Sequence, residues 1–219
     1  MKNFIYFIAI SGLILVSFSC QNSKNKSYWD NGKVKSELKY KDDKLEGESK
    51  WYYKNGKLQM TAEYTANELN GSMRRWHENG NMQTLSHYKN NKLDSIFLTY
   101  SVDGIKIGSE YYVNGILDGP YYKWYENGQV MVEGQYKENM MHGSWLFFHS
   151  NGSITAKANF TMGTGVQKAY HENGEVSLLI HYKDNEKHGK EEFFTPEGVP
   201  SLTRIYEYGM LVEEIEHPY

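Results

Sequence analysis

A glycine recurs through this chain at nearly constant spacing, and in most copies it follows an asparagine, as in Asn127-Gly128. Successive copies are 24 residues apart, except for one 22-residue step from Gly152 to Gly174. The recurring positions are Gly32, Gly56, Gly80, Gly104, Gly128, Gly152, Gly174 and Gly198. A period in this range is typical of repeat architectures, so the length of the chain reflects the number of repeats rather than the size of one closed domain.

Two aromatic positions accompany each of these glycines. Eight residues after the glycine the chain has Tyr40, Tyr64, Tyr88, Tyr112, Tyr136, Phe160, Tyr182 and Tyr206. Four residues before it the chain has Tyr28, Tyr52, Trp76, Tyr100, Trp124, Phe148, Tyr170 and Phe194. Between the glycine and the later aromatic position, apolar and polar residues mostly alternate, as in Val130, Val132 and Tyr136. This period of two predicts a half-buried strand after each glycine.

The number of residues in the loop decides which residues pair across it, and this predicts the type of turn at the glycine. A three-residue loop such as Glu126-Asn127-Gly128 pairs the residue four before the glycine with the residue two after it. Such a loop is a type I turn with a bulge, and its last residue needs a positive φ, which glycine adopts without steric cost. A two-residue Asn-Gly loop would instead pair the residue three before the glycine with the residue two after it. Only the three-residue loop places the aromatic position before the glycine on the apolar face with the later one, so that loop is predicted.

A second turn is predicted between repeats, at a further set of glycines. It is read at 44–47, 68–71, 116–119, 140–143 and 186–189. Ser95 occupies the glycine position at the boundary between the repeats of Gly80 and Gly104, and 161–165 is a version shortened by two residues. In the repeat of Gly104, Lys106, Gly108 and Glu110 fall on the apolar register, so a local irregularity is expected there.

Two turns in each repeat give two strands in each repeat, or about sixteen strands joined by hairpins. The predicted fold class is therefore all-β: an elongated, curled, single antiparallel meander sheet of about eight 24-residue β-hairpin repeats. The predicted repeat domain spans 28–212, and an acidic C-terminal tail follows at 213–219.

The first twenty residues have a different character. Lys2 is followed by an almost continuous apolar run of about 15 residues, too short to span a membrane, which is typical of a secretory signal. The run ends at Cys20, the only cysteine, and 16–20 resembles a bacterial lipoprotein box. That resemblance implies a signal peptide at 1–19, lipidation of Cys20 and a polar tether at 20–27. An ordinary secretory signal with an incidental cysteine is the alternative.

Composition and spacing argue against several functions. Removal of the predicted signal peptide, which contains Lys2, leaves 23 basic and 27 acidic side chains. Binding of nucleic acid through its phosphates is therefore not expected. Histidines recur at equivalent positions of the repeats, about 10 Å apart or more, and therefore predict no metal site. No catalytic residue and no cofactor are predicted. Asp94-Ser95-Ile96 resembles a bacterial O-glycosylation signal. The aromatic rings are interpreted as structural, with a sugar-binding platform as the alternative.

The unit from Trp124 to Tyr136, with the Lys-x-Asn-x-x-x-Gly segment after it, resembles the bacterial variant of the MORN repeat, over about 28–212. Chains built from this unit are often grouped as the YwqK-type antitoxin family. The resemblance implies a hairpin meander without a known active site. We expect a non-enzymatic, lipid-anchored envelope scaffold that binds a protein partner, on the periplasmic side of the outer membrane. The alternatives are an antitoxin-like inhibitor of a toxin and a glycan-binding module.

Overall fold

The computed structural model describes residues 22–218, which form one antiparallel sheet of 19 strands without any helix. The predicted all-β fold class is confirmed. The strands are β1 (Asn22–Tyr28), β2 (Val34–Lys41), β3 (Lys44–Leu45), β4 (Gly47–Tyr52), β5 (Leu58–Thr65), β6 (Glu68–Trp76), β7 (Met82–Lys89), β8 (Lys92–Tyr100), β9 (Lys106–Val113), β10 (Ile116–Leu117), β11 (Gly119–Trp124), β12 (Val130–Lys137), β13 (Met140–Phe148), β14 (Ile154–Thr161), β15 (Thr164–Tyr170), β16 (Val176–Lys183), β17 (Glu186–Phe194), β18 (Pro200–Glu207) and β19 (Met210–Glu216).

The sheet is a meander in which successive strands pair with each other, apart from two places where one strand is divided into two segments. Hairpin follows hairpin from the β1–β2 pair to the β18–β19 pair, and the sheet does not close on itself. The two-residue strands β3 and β10 each continue after one residue into the next strand, β4 and β11, against the same partners, β2 and β9. Below, repeat one is the unit around Gly32, and repeat eight is the unit around Gly198.

The turn at each recurring glycine is the three-residue turn that the sequence predicts. In repeat five the amide of Gly128 donates to the carbonyl of Tyr125 (2.9 Å), and the amide of Tyr125 donates to the carbonyl of Gln129 (2.9 Å). Gly128 has a φ of +85°, and Trp124 lies opposite Val130. We call this the glycine turn.

The prediction that both aromatic positions share one face is wrong. One step further from the glycine turn the register shifts, because Lys123 faces Val132 while Trp124 faces Val130. The extra residue, Met131, forms a β-bulge in β12, so Trp124 and its partner Val130 lie on the opposite side of the sheet from Val132 and Tyr136. Trp124 shares that side with Tyr122, and the two rings stack at 5.5 Å. Equivalent shifts occur before all eight glycine turns. We call the side of Tyr136 the core face and the side of Trp124 the outer face.

The turn between repeats also differs from its prediction. It is a two-residue turn located just before the predicted segment, as at Glu138-Asn139, where both residues have positive φ (51° and 66°). The glycine of the predicted turn, such as Gly143 (φ 71°), lies instead at a bulge within the following strand, opposite the register shift between Glu133 and Gln135. Asparagine tolerates the left-handed conformation, so this turn needs no glycine. We call it the inter-repeat turn.

The 22-residue step has a specific structural origin. The β14–β15 pair runs from Ala156 opposite Ala169 to Thr161 opposite Thr164 without a register shift. In the preceding hairpin, β12–β13, the equivalent residue Val132 of repeat five lies opposite Phe147 of repeat six, so the end of the β14–β15 hairpin next to the glycine turns keeps the usual register. The two residues missing from β15 are therefore the bulge, and the turn itself is not shortened.

Loss of this bulge brings neighbouring inter-repeat turns close together. Asn185 donates through Nδ2 to the carbonyl of Asn139 (2.8 Å) and accepts from the amide of Met141 (2.8 Å), two repeats away. It passes directly over Gly163, where an added Cβ would lie 2.8 Å from the amide nitrogen of Asn185. Gly163, with a φ of +76°, is thus required both by the turn and by this close contact.

The irregularity expected around Gly104 does not appear in the backbone. β9 has the same length and the same register shift as the corresponding strands of the other repeats. The departure is at Ser95, which takes the position of the bulge glycine and has a φ of +100°. A serine in this region of φ carries backbone strain that glycine would not.

Both ends of the sheet extend past the predicted boundaries. β1 occupies residues predicted as a polar tether, and it pairs with β2 from Asn22 opposite Lys41 onwards. β19 occupies most of the predicted acidic tail and forms the other edge of the sheet, with every residue from Met210 to Glu216 exposed. The predicted signal peptide and Cys20 lie outside the described residues.

The best-buried part of the sheet is on the core face of repeats five to seven. Trp145 (3% exposed) and Phe160 (2%) form its centre, with Tyr121, Tyr136 and Tyr182 packed against them. Gly134 lies beneath the indole of Trp145, where an added Cβ would come 2.2 Å from the ring. The core is therefore a single layer of aromatic side chains spread over neighbouring strands.

Candidate binding surfaces

Side chains near the glycine turns bond each repeat to the next one. Three residues before the glycine, Trp29, Tyr53 and Tyr125 donate to backbone carbonyls of the following repeat, at 3.0, 2.6 and 2.8 Å. His77 and His171 make the equivalent contact at 3.3 and 2.8 Å. The asparagine before the glycine does the same: the side-chain amides of Asn31, Asn55, Asn79, Asn127 and Asn173 donate to carbonyls of Lys54, Glu78, Val102, Ser150 and Pro196.

We call these contacts the turn ladder. Each ladder asparagine also accepts the amide two residues later, as Asn127 does from Gln129 (3.0 Å), so one side chain closes its own turn and joins the next. This explains why the asparagine recurs with the glycine. It also gives the recurring His77 and His171 a structural role.

Within the described residues the turn ladder is interrupted at two junctions. Between repeats four and five the ladder positions are Ser101 and Asp103; Ser101 bonds within its own turn, and a carboxylate cannot donate. Between repeats six and seven the positions are His149 and Asn151, which have suitable donors but make no hydrogen bond to repeat seven. An open cleft is found at each of these two junctions.

The first cleft, of about 440 Å³, lies at the junction of repeats four and five. Its apolar lining includes Ile107, Tyr122, Trp124 and Met131 of the outer face. The ammonium of Lys106 lies 4.1 Å from the centroid of the Trp124 ring, a cation–π contact that fixes the indole against Tyr122.

Exposed apolar side chains continue this surface. Ile96 (41% exposed) and Tyr111 (39%) face each other across β8 and β9, on the side of Ile107 and Tyr122. We call the set Ile96, Ile107, Tyr111, Tyr122, Trp124 and Met131 the outer patch. Tryptophan, tyrosine and methionine are the residues that protein interfaces favour at their centres.

The second cleft, of about 810 Å³, opens between the glycine turns of repeats six and seven. It is lined by His149, Ser150, Asn151, Ser153, Ile154, Thr155, Ala169, Tyr170, His171 and Glu172. We call it the turn cleft. Its walls are mainly polar, in contrast to the outer patch.

The rings eight residues after the glycine contact other rings. Tyr136 packs edge-on against Trp145 with centroids 5.1 Å apart, and Phe160 packs against Tyr182 at 5.5 Å. Burial raises the pKa of Tyr136 and Tyr182, as expected for hydroxyls in a low-dielectric environment. These faces are occupied by protein, so we place no sugar-binding platform at Tyr136, Phe160 or Tyr182.

A buried carboxylate on the core face lies close to two cationic side chains and one hydroxyl. Glu191 is 3% exposed; it accepts from Tyr206 (3.0 Å), bonds Lys187 and lies 3.8 Å from Arg204. Burial lowers the pKa of Lys187, but the hydrogen bond and charge of Glu191 outweigh it and the net shift is upward. A carboxylate held this way is a structural ion pair rather than a free general base.

The remaining sequence predictions fall at separate places. Ser95, the proposed glycosylation position, is a half-buried residue of β8. Within residues 22–218 no group of three or more His, Cys, Asp or Glu side chains is arranged to hold a metal ion. In the same residues no helix is long and apolar enough to cross a membrane.

Sequence reasoning missed both the outer patch and the turn cleft. The patch was hidden because the bulge moves Trp124 to the opposite side, and a period-two reading cannot reveal a bulge. The cleft has a signal in the sequence: the 22-residue step removes two residues from one hairpin, and this weakens the junction with the next turn.

Comparison with protein families identifies the repeat. The sequence profile of the family described as MORN repeat variant matches residues 21–42, 45–66, 69–90, 117–138, 141–161 and 164–184. Together these segments exceed half of the chain. The repeat around Gly104, which carries part of the outer patch, lies between two matched segments. A search of curated proteins gives no significant match.

Proposed function

The chain belongs to the MORN repeat variant family, and we propose that it is a non-enzymatic, lipid-anchored protein of the bacterial envelope that binds a protein partner through the outer patch. The repeats of this family generally mediate binding to proteins or membranes, and the family is a non-catalytic repeat family. The proposal adds the location, the surface and the class of partner.

The outer patch is the observation that carries the proposal. It combines a stacked Tyr122–Trp124 pair with exposed Ile96 and Tyr111 on one side of the sheet. Residues of this kind contribute most of the binding energy where they fill a partner's pocket and exclude water. Three of its residues, Ile96, Ile107 and Tyr111, also lie between two matched segments, where the repeat departs from the family pattern.

The lipid anchor determines where this surface operates. Acylation of Cys20 would leave one residue between the lipid and β1, because β1 begins at Asn22. The start of β1 would then lie at the membrane surface, with exposed Lys24 near the lipid headgroups. Basic residues close to a lipid attachment favour anionic membrane surfaces, so they would support the anchor. Loss of membrane association in Cys20→Ala, together with insensitivity of its processing to globomycin, tests this step.

The partner is tested by crosslinking in intact cells followed by purification of the chain. We expect one or a few enriched proteins, and their loss in Trp124→Ala. Trp76→Ala is the matched control, since Trp76 is at the same position of repeat three but outside the outer patch. Circular dichroism verifies that both variants fold. Absence of any enriched protein, or equal recovery with both variants, would contradict the proposal.

A further inference from the structure

The turn cleft exists because the two edges of the sheet respond in opposite ways to the missing bulge. At the inter-repeat turns, Asn185 bridges back to Asn139 and Met141, which draws repeats five to seven together. A sheet drawn together along one edge spreads along the other. At that other edge the turn cleft lies between the glycine turns of repeats six and seven, and the turn ladder is interrupted there.

The interruption leaves hydrogen-bonding groups without protein partners on both walls of the cleft. His149 and Asn151 have the ladder donors, and the other ladder rings, such as Tyr125 and His171, are half-buried, while His149 is exposed. Asn151 accepts from the amide and the hydroxyl of Ser153 through Oδ1, while its side-chain NH₂ has no partner among the described residues. Across the cleft, the carbonyls of Tyr170 and Glu172 correspond to ladder acceptors, yet among the described residues no side chain reaches them.

The ring of Tyr170 supplies an apolar element between these polar groups. It is 40% exposed and lines the cleft together with Ile154 (45% exposed). Ser150 and Ser153 add hydroxyls, which both donate and accept. The lining contains no lysine and no arginine, and Glu172 adds a negative charge, so an anionic ligand would be unfavourable.

We propose that the turn cleft binds a neutral oligosaccharide. Sugar hydroxyls both donate and accept, so one ligand can satisfy the donors of His149 and Asn151 and the carbonyls of Tyr170 and Glu172. The apolar C–H face of a pyranose ring packs against an exposed tyrosine ring, whose own hydroxyl stays in water. A cleft of about 810 Å³ is also within the size range of small-molecule sites. This site is separate from the outer patch, and each can fail without the other.

The test uses the mature chain and three defined trisaccharides: maltotriose, cellotriose and triacetylchitotriose. Saturation-transfer NMR and calorimetric titration measure binding. We expect at least one of them to bind, with the affinity falling by about tenfold or more in Tyr170→Ala and in Asn151→Ala. Tyr28→Ala is the matched control, because Tyr28 is an exposed ring at the same repeat position beside an intact ladder contact from Trp29 to Tyr52. Its affinity should equal that of the parent.

A second variant closes the cleft without altering any residue that lines it. Inserting Met-His, copied from Met141-His142, between Thr164 and Gly165 restores the 24-residue step. We expect an unchanged circular dichroism spectrum and loss of saccharide binding. The proposal is overturned if the parent binds none of the three trisaccharides. It is also overturned by binding that persists in Tyr170→Ala, or in the insertion variant if that variant is folded.

Discussion

Single residues with unusual backbone angles hold the bulges of this sheet, and one of them is not glycine. At the bulges of the other long repeats the position is Gly47, Gly71, Gly119, Gly143 or Gly189, each with positive φ, whereas repeat four has Ser95. A φ of +100° is sterically unfavourable for serine. The strain is local, because β8 on either side of Ser95 pairs as regularly as the other strands.

Replacing this serine should therefore stabilise the protein. We expect Ser95→Gly to increase the free energy of unfolding by about 1 kcal/mol, because glycine adopts the required φ without a clash. Urea denaturation measures the change. Ser144→Gly is the control: it has an ordinary strand conformation, so the same substitution should destabilise by about 0.5–1 kcal/mol. Equal effects of the two substitutions would contradict the assignment of strain to Ser95.

Gly134 is needed for a different reason, the close approach of an aromatic ring. Its added Cβ would lie 2.2 Å from Trp145, so we expect Gly134→Ala to destabilise by about 1–3 kcal/mol through overpacking. Thermal or urea denaturation measures the loss. In a Trp145→Leu background the ring is absent and the added penalty of Gly134→Ala should largely disappear. A penalty of the same size in both backgrounds would show that the ring is not its cause.

At the scale of the strands and turns, the ladder asparagines provide a direct measurement of inter-repeat bonding. Asn127 and Asn151 both accept an amide of their own turn, but only Asn127 donates to the next repeat. We expect Asn127→Ala to destabilise by about 0.5–1 kcal/mol more than Asn151→Ala, which is the contribution of one exposed hydrogen bond. Equal losses in urea denaturation would indicate that the ladder bond adds nothing to stability.

The same elements show how far sequence reasoning reaches. The three-residue turn at Gly128 was predicted correctly from pairing, because pairing and side-chain direction are coupled in a strand. The premise behind that choice, that Trp124 shares the apolar face with Tyr136, is contradicted by the register shift. The premise failed because the bulge beside Trp124 adds a residue that no periodic pattern marks. The inter-repeat turn was misplaced because glycine was taken as its marker, although Asn139 adopts the positive φ and Gly143 marks a bulge. The two clefts depend on contacts between repeats, which the pattern within one repeat does not contain.

For the whole molecule, the aromatic layer of the core face predicts sensitivity to alkaline pH. Burial is the main cause of raised pKa values at Tyr64, Tyr112, Tyr136 and Tyr182 above the ordinary 10.0. A raised pKa in the folded state means that the folded chain holds these protons more tightly. The resulting stability is complete below pH 10 and is lost as the pH rises above it. The pH range of this loss follows from the upward direction of the four tyrosine pKa shifts.

We therefore expect the urea midpoint to be nearly constant from pH 8 to about 9.5 and to fall above pH 10. Tyr136→Phe should lessen this fall, because phenylalanine keeps the ring and removes the ionising group. Tyr208→Phe is the control, since Tyr208 is 62% exposed in the folded protein and loses little contact with water on folding. An alkaline decline identical in all three proteins would assign the effect to other groups.

The uncovered strand β19 has a consequence for the association of the protein with copies of itself. Met210, Leu211 and Val212 are each more than half exposed on an edge with unpaired backbone groups. Glu213, Glu214 and Glu216 place negative charge along the same edge, which keeps two such edges apart by mutual repulsion. In a variant with Glu213→Gln, Glu214→Gln and Glu216→Gln this repulsion is absent, so fibrous aggregation should begin at the C-terminal strand and spread from molecule to molecule.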